Sequence, residues 1–570
     1  MHGAPLTELN EYDARPPPPS YWSIDISDPD PNETRYPGLM LAHVLSMVSA
    51  FFFVLPAGIA LRSVNHAWHA FSVIVFWALV IFGCAMSGIY TKLTPNMYEH
   101  QMHSSLGYWA LFVALVLTGI DIASGFSRLL SYVNDVRSGE RFSFHAFWSQ
   151  VVLSQDSQAS SGRGAEYTNL VVGEPEEMEM EEDLKSHNAV VFDDTEEPHD
   201  GEEAQWANQY PQTPNSERTV FERRALSSDS HHSDDTLHID YQHPRSKRPF
   251  ASKYARVGRI VFAVVERTLV FAGFALVTSG IAVYTGGCRD YRINTCLAHV
   301  IKGGIFWCYG LVTFARFLGA FSEVGWAWNR APKGRPVSAE FVESAVIFTY
   351  GITNVWMERF GAAPGSPFTT KQLQHISIAI MYWFAGLVGM GMESRRFRRW
   401  LSSFSTAYMR PRDRASGSVA EPASYASSLN PFPALCIGVT GIAMAAHAQN
   451  YVFMVQVHML WGICLGAFAV LRWLTYFFVW LGPPRSILPS RPPSEAIGSF
   501  FLACGGLLFM LSSEDITVAA MRQGHDDMML FANAAVAFTC FAFCWTMAIV
   551  GFKAWLKSRT HKTVTFHASA

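Results

Sequence analysis

Residues 39–62 read LMLAHVLSMVSAFFFVLPAGIALR, an apolar run with no formal charge before Arg62. At a rise of about 1.5 Å per residue it is long enough to cross a hydrocarbon core of about 30 Å. His43 lies inside it. An imidazole in lipid is costly unless its nitrogens are used, so an intramembrane histidine is a functional hypothesis from the outset.

Similar runs recur along the 570 residues, of which 50% are hydrophobic, 14% aromatic and only 16% charged. A typical soluble domain carries about 25% charged residues. The pattern predicts an all-α, polytopic helical membrane protein of about 11 transmembrane helices, near 37–62, 66–90, 100–126, 257–285, 298–325, 337–358, 373–393, 431–447, 452–481, 494–512 and 527–552. The sixth carries Glu340, Glu343 and Asn354, and the eighth is short. The polar start, MHGAPLTELNEYDARPPPPS, has no basic and apolar signal pattern, so no cleaved leader is expected.

Basic residues set the expected orientation. Arg245, Lys247, Arg248, Lys253, Arg256 and Arg259 precede the fourth helix, and Arg330, Lys333 and Arg335 follow the fifth. Arg395, Arg396, Arg398 and Arg399 follow the seventh, and Lys553, Lys557, Arg559 and Lys562 follow the last. The alternate loops are sparse in Lys and Arg, which places the N-terminus outside or luminal and the C-terminus cytosolic. Lipid is the one certain partner, nothing suggests nucleic acid, and the compartment is an endomembrane or the cell surface.

Five regions follow: 1–36, a disordered luminal N-terminus; 37–126, a three-helix unit; 127–252, a disordered acidic cytosolic linker; 253–555, an eight-helix unit; and 556–570, a cytosolic tail. The linker holds EPEEMEMEEDL (174–184) and DDTEEPHDGEE (193–203) and too little apolar surface to fold alone. Ser227, Ser228 and Ser230 form a candidate kinase target and Tyr167–Leu170 a candidate sorting signal; a solvated tether is the favoured reading. Asn32-Glu33-Thr34 is a glycosylation sequon close to the first span. Cys288 and Cys296 flank one luminal loop, CRDYRINTC, and are a candidate disulfide.

On this topology His43 and His103 lie at matched depth in the luminal leaflet, on helices running the same way. They are the candidate axial ligands of one haem b, with Gly107, Ser46 and Ala50 as small neighbours that would let a porphyrin edge approach. His69 opens the second helix on the cytosolic side, but the fourth helix offers Glu266 and Arg267 where a partner histidine would be needed. That second site is incomplete. His299, His375, His447 and His458 fall in the luminal layer and form a candidate metal or second haem site, against the blander reading of helix-to-helix hydrogen bonding. Asp121, Glu266, Arg267, Arg316, Glu343 and Arg472 lie within apolar runs and are expected to pair, with Arg316 facing Glu266 or Glu343. No phosphate loop, HExxH or nucleophile motif appears, so the catalytic residues and any enzymatic role are left open.

LMLAHVLSMVSAFFFVLPAGIALR, HAWHAF (66–71) and HQMHSSLGYWAL (100–111) resemble the core of the cytochrome b561 and ferric-reductase transmembrane superfamily. That resemblance implies a His43–His103 pair, a Pro56-x-Gly58 signature and a His69 lacking its fourth-helix partner. CLAHVIKGGIFWCYGLVTFARFLGAF (296–321), SAEFVESAVIFTYGITNVWMER (338–359), NPFPALCIGVTGIAMAAHAQNYVFMVQVHMLWG (430–462) and ILPSRPPSEAIGSFFLACGGLLFM (487–510) resemble the C-terminal region of the fungal yeast-putative-transmembrane-protein (YTP) family. Two functions are therefore expected. One is a haem-binding electron-transfer protein with an unknown electron donor or small-molecule substrate. The other is a haem-free transporter or membrane-organising protein.

Overall fold

The computed structural model of the chain describes residues 5–10, 36–95, 98, 101–139, 141–153, 251–288, 293–322, 324–328, 337–359, 365–408, 427–483 and 488–560. Its helices are α1 (Pro37–Ser63), α2 (Trp68–Leu93), α3 (His103–Arg137), α4 (Ala251–Thr285), α5 (Ile293–Leu318), α6 (Ala339–Met357), α7 (Thr370–Glu393), α8 (Arg395–Thr406), α9 (Phe432–Ala445), α10 (Val452–Leu481), α11 (Pro493–Leu511), α12 (Glu514–Arg522) and α13 (Met528–Thr560). Most of the acidic stretch, with its candidate kinase and sorting motifs, and the Asn32 sequon lie outside the described residues.

Among the described residues nine helices are long and apolar enough to cross a membrane. Two of the expected eleven are not among them. The two that fall away are α6, which places Glu340 and Glu343 in its first two turns, and α9, which has only 14 residues. Both are still well-formed helices. α6 starts on a Ser338 cap that accepts from the Phe341 N–H, and α9 starts with Pro433 in its first turn, where a missing N–H costs nothing.

α1 is not uniform. Pro56 cannot donate to the preceding turn, and residues Ala50–Val54 widen into a π-helical turn just before it. Small residues then set how closely the neighbour comes. Ser46 and Ala50 are buried against α2, where a Cβ on Gly83 would lie 3.3 Å from the Ser46 Cβ. They line a helix contact rather than the expected slot for a ring edge. Phe51, Phe76, Val80, Ala114, Leu117 and Leu269 build one core from α1 to α4. Phe274 of α4 also stacks on Trp307 of α5, so α4 packs on both the N-terminal helices and α5.

The second core is formed by Phe306, Ile437, Trp461, Leu465, Phe468, Leu502 and Leu508, from α5, α9, α10 and α11. α5 and α11 approach backbone to backbone through Gly303, Gly310 and Gly506. Trp545 of α13 donates to the Phe52 carbonyl at 2.7 Å and joins the two helix groups.

Two expectations at the edges need amendment. α3 runs to Arg137, eleven residues past its expected end at 126, and a short helical segment at 144–152 follows, tied back by Tyr132 Oη donating to the Ser143 carbonyl. The N-terminal residues 5–10 also have a docking place. Leu6 pairs with Tyr451 in a parallel bridge, and Leu9 packs against a cluster of Tyr451, Met454 and Val518. The backbone pairing and the packed Leu9 side chain hold a segment that composition alone reads as polar.

Candidate functional site

Helix direction and short connections bring the histidines to one end of the bundle. His43 and His103 lie near the starts of α1 and α3, and Ser279 lies near the end of α4. His299, His375 and His458 lie in the second turns of α5, α7 and α10, and His447 follows α9. They come together as three pairs, which sequence could not assign because helix neighbours are a tertiary property.

The first pair is His43 and His103, with ring centroids 6.5 Å apart and planes at 89°. His43 Nδ1 is 2.9 Å from the Gly83 carbonyl, and His103 Nδ1 is 3.0 Å from Ser279 Oγ. Each outer nitrogen therefore has a partner. A Cβ on Gly280 would lie 3.1 Å from the His103 ring, so α4 packs closely there, whereas nothing lies within 4 Å of a Cβ on Gly107.

The second pair is His299 and His458, 5.7 Å apart at 78°. Both Nδ1 atoms are tied to the carbonyl four residues earlier, Thr295 at 2.7 Å and Met454 at 2.8 Å. These bonds place the proton on Nδ1 and leave Nε2 with its lone pair. His299 Nε2 is buried and has no hydrogen-bond partner. A buried polar atom without a partner calls for an explanation, and a metal-binding role is one.

The third pair is His375 and His447, stacked 5.9 Å apart. It is differently set. His375 Nδ1 faces Glu358 at 3.2 Å, and His447 Nδ1 faces the Gln449 amide at 3.0 Å. Glu358 lies just beyond the last turn of α6. Burial pushes its carboxyl up, but the His375 bond and the nearby positive charges outweigh this and hold it below the usual range. That contribution to stability is present above the ordinary carboxylate range and is lost as pH falls through the lowered value. His525, in the loop before α13, is tied by its N–H to the Ala520 carbonyl at 2.8 Å.

Cys288 and Cys296 are joined as a disulfide at the same end, between α4 and α5. Asp515 accepts from the Cys288 N–H at 2.9 Å. These three residues are close enough to suggest a metal site, but the two sulfurs are bonded to each other and offer no thiolate.

The opposite end carries the buried charges. Arg472 makes a two-pronged contact with Glu495, at 2.7 and 2.8 Å, and lies 3.5 Å from Glu343. Arg316 reaches Glu343 at 2.6 Å and Glu340 at 2.8 Å, and both guanidinium groups lie over the Trp328 ring. Of the two partners expected for Arg316, Glu343 is the one it takes. Glu266 instead pairs with Arg62 at 3.2 Å, and Arg62 also pairs with Asp121. Sequence reasoning misses Arg62 and Glu495, because each sits at the edge of an apolar run where a solvated position is equally good.

His69 is fully used in this second cluster. Its Nδ1 is 3.1 Å from the Gly58 carbonyl, and its Nε2 accepts from Arg62 at 3.1 and 3.2 Å. Both ring nitrogens are spent, so His69 does not fit a haem ligand.

Residues 272–554 match the family described as protein YTP1-like, C-terminal, and residues 30–125 match a domain of unknown function, DUF2427. An uncharacterized membrane protein of Schizosaccharomyces pombe is 31% identical over 91% of this chain and 94% of its own length. The chain belongs to the YTP1-like family of fungal membrane proteins. An uncharacterized membrane protein of Saccharomyces cerevisiae is 36% identical, over 55% of this chain and 51% of its own. Protein YTP1 of the same yeast is 24% identical, over 50% and 53%. No solved structure matches. The N-terminal helices therefore belong to the DUF2427 part of a YTP1-like chain, and the expected cytochrome b561 or ferric-reductase core is not supported.

Proposed function

We propose that this YTP1-like protein is a haem-free, multi-pass membrane protein that binds a transition-metal ion at its histidine-bearing end, as a metal transporter would. The observation that carries the reading is the His299–His458 pair, with both Nδ1 atoms tied to backbone carbonyls and His299 Nε2 buried without a partner. A metal-ligating histidine commonly donates its other N–H in this way, which fixes the tautomer and the ring. Two imidazoles on one ion, with metal–nitrogen bonds of about 2.0 Å, have centroids about 5 Å apart at a tetrahedral angle and about 6.3 Å apart when opposed. The 5.7 Å of His299 and His458 falls between these values. His375, His447 and Glu358 lie close by as further polar neighbours.

The purified full-length protein is expected to show no Soret or α band and to bind roughly one equivalent of Zn2+ or Cu2+. His299→Ala and His458→Ala are each expected to weaken that binding by about 100-fold. Because the ligands must be neutral, protons compete with the metal, and affinity is expected to fall with falling pH. An absorption spectrum reads the first and titration calorimetry with the bare ion reads the rest; a wild type that binds no metal, or variants with unchanged affinity, would sink the reading.

A second reading is favoured by one specific observation. The 6.5 Å between His43 and His103 is near the spacing of two opposed ligands on one metal, and each Nδ1 has a partner. Those two residues would hold a single haem b, which would supply one-electron chemistry. A Soret band in the wild type that disappears in both His43→Ala and His103→Ala would replace the first reading with this one.

The same proposal takes the histidine end as luminal or outside and counts α6 and α9 as crossings, giving eleven. Lys and Arg gather in the loops of the other end, and a disulfide at the histidine end suits an oxidising compartment.

A further inference from the structure

α8 is built differently from every spanning helix. Its sequence is RRFRRWLSSFST, and no residue in it is buried. At about 100° per residue, Phe397, Trp400, Leu401 and Phe404 share an arc of about 100°. Arg395, Arg396, Arg398 and Arg399 occupy the opposite side, and the helix holds no acidic residue. The four apolar side chains are 43%, 69%, 47% and 73% exposed. That is a continuous aromatic face that the described protein does not cover.

Position decides what covers it. α7 is one of the nine apolar spans and ends at Glu393. Ser394, in an extended conformation, is the single residue between α7 and α8, and its side chain caps α8 by accepting from the Phe397 N–H. A helix that begins one residue past a membrane span begins at the bilayer surface. There the aromatic face meets the acyl boundary and the arginines meet the headgroups.

We propose that α8 lies in the membrane interface and binds anionic phospholipid headgroups through Arg395, Arg396, Arg398 and Arg399. Charge complementarity selects this occupant: Glu393 faces Arg398 from the end of α7, but the helix itself carries four cations within five residues and no carboxylate, which suits a negatively charged leaflet and gains little from a zwitterionic one. The aromatic side chains hold depth, and the arginines set lipid preference.

The test is amide hydrogen exchange of the full-length protein in nanodiscs, read by mass spectrometry over residues 395–406. Exchange is expected to be about tenfold slower in discs containing phosphatidylserine than in pure phosphatidylcholine, and the difference should vanish at high salt. The variant carrying R395Q, R396Q, R398Q and R399Q should exchange alike in both discs, while residues 452–481 of α10 stay protected and report an intact fold. Equal exchange of the wild type in the two lipids overturns the proposal. So does protection that is as strong in lipid-free detergent, which would mean that protein covers the face. Protection that appears only when two copies share a disc would identify a second copy as the occupant and likewise overturn it.

Discussion

Glu495→Ala is expected to destabilise the protein by about 3–5 kcal/mol, because it leaves the Arg472 guanidinium buried without its main counter-charge. Glu495 is 0% exposed and Arg472 is 1% exposed, and the two meet through paired hydrogen bonds at 2.7 and 2.8 Å. Glu343, at 3.5 Å, is already engaged with Arg316 and cannot replace it fully. Replacing both partners, as Arg472→Met with Glu495→Met, removes the two charges together and should recover most of the loss. Denaturant unfolding in detergent, followed by tryptophan fluorescence, measures both. A single-variant loss under about 1 kcal/mol, the range of an exposed pair, would show that the cluster is solvated rather than buried.

Gly310→Leu is expected to be worse, abolishing the folded, monodisperse protein. Even a single Cβ at Gly310 would sit 2.5 Å from the Ala503 backbone nitrogen and 2.7 Å from its Cβ. Backbone cannot rotate out of the way as a side chain can, so α5 and α11 would have to separate. Without a hydrophobic force between helices inside lipid, close packing of small residues is what holds such a pair together. Separation would also disturb the Thr313–Ser499 hydrogen bond on the same interface. Gly466→Leu is the control, because nothing lies within 4 Å of a Cβ there. Size-exclusion profiles of the two variants should differ sharply; matching profiles would refute the close approach.

Much of the helical architecture is legible in the amino-acid sequence. Runs such as 39–62 and 452–481 are too long and too apolar to be anything but spans, since the cost of exposing that surface to water dominates every local preference. Hydropathy is weakest at the sixth and eighth helices, one carrying two carboxylates and the other short, and these are the two that fall outside the nine apolar spans. Composition also marks His43, His103, His299, His458, Arg316 and Glu343 as costly residues in need of partners. It does not say which partner, because pairs such as Arg316 with Glu343 join helices 27 residues apart in sequence through packing alone.

The sequence by itself therefore determined that this chain is a polytopic membrane protein, and which polar residues lie within its apolar runs. Both follow from summed hydropathy, which needs no knowledge of neighbours. Only the tertiary structure decided that His69 is spent on Arg62 and Gly58, that the histidines at one end of the bundle form three pairs, and that Glu266 belongs to Arg62 rather than Arg316. Those outcomes depend on which helix faces which. That is set by small residues such as Gly303, Gly310 and Gly506, whose close approaches become visible only when two helices are placed side by side.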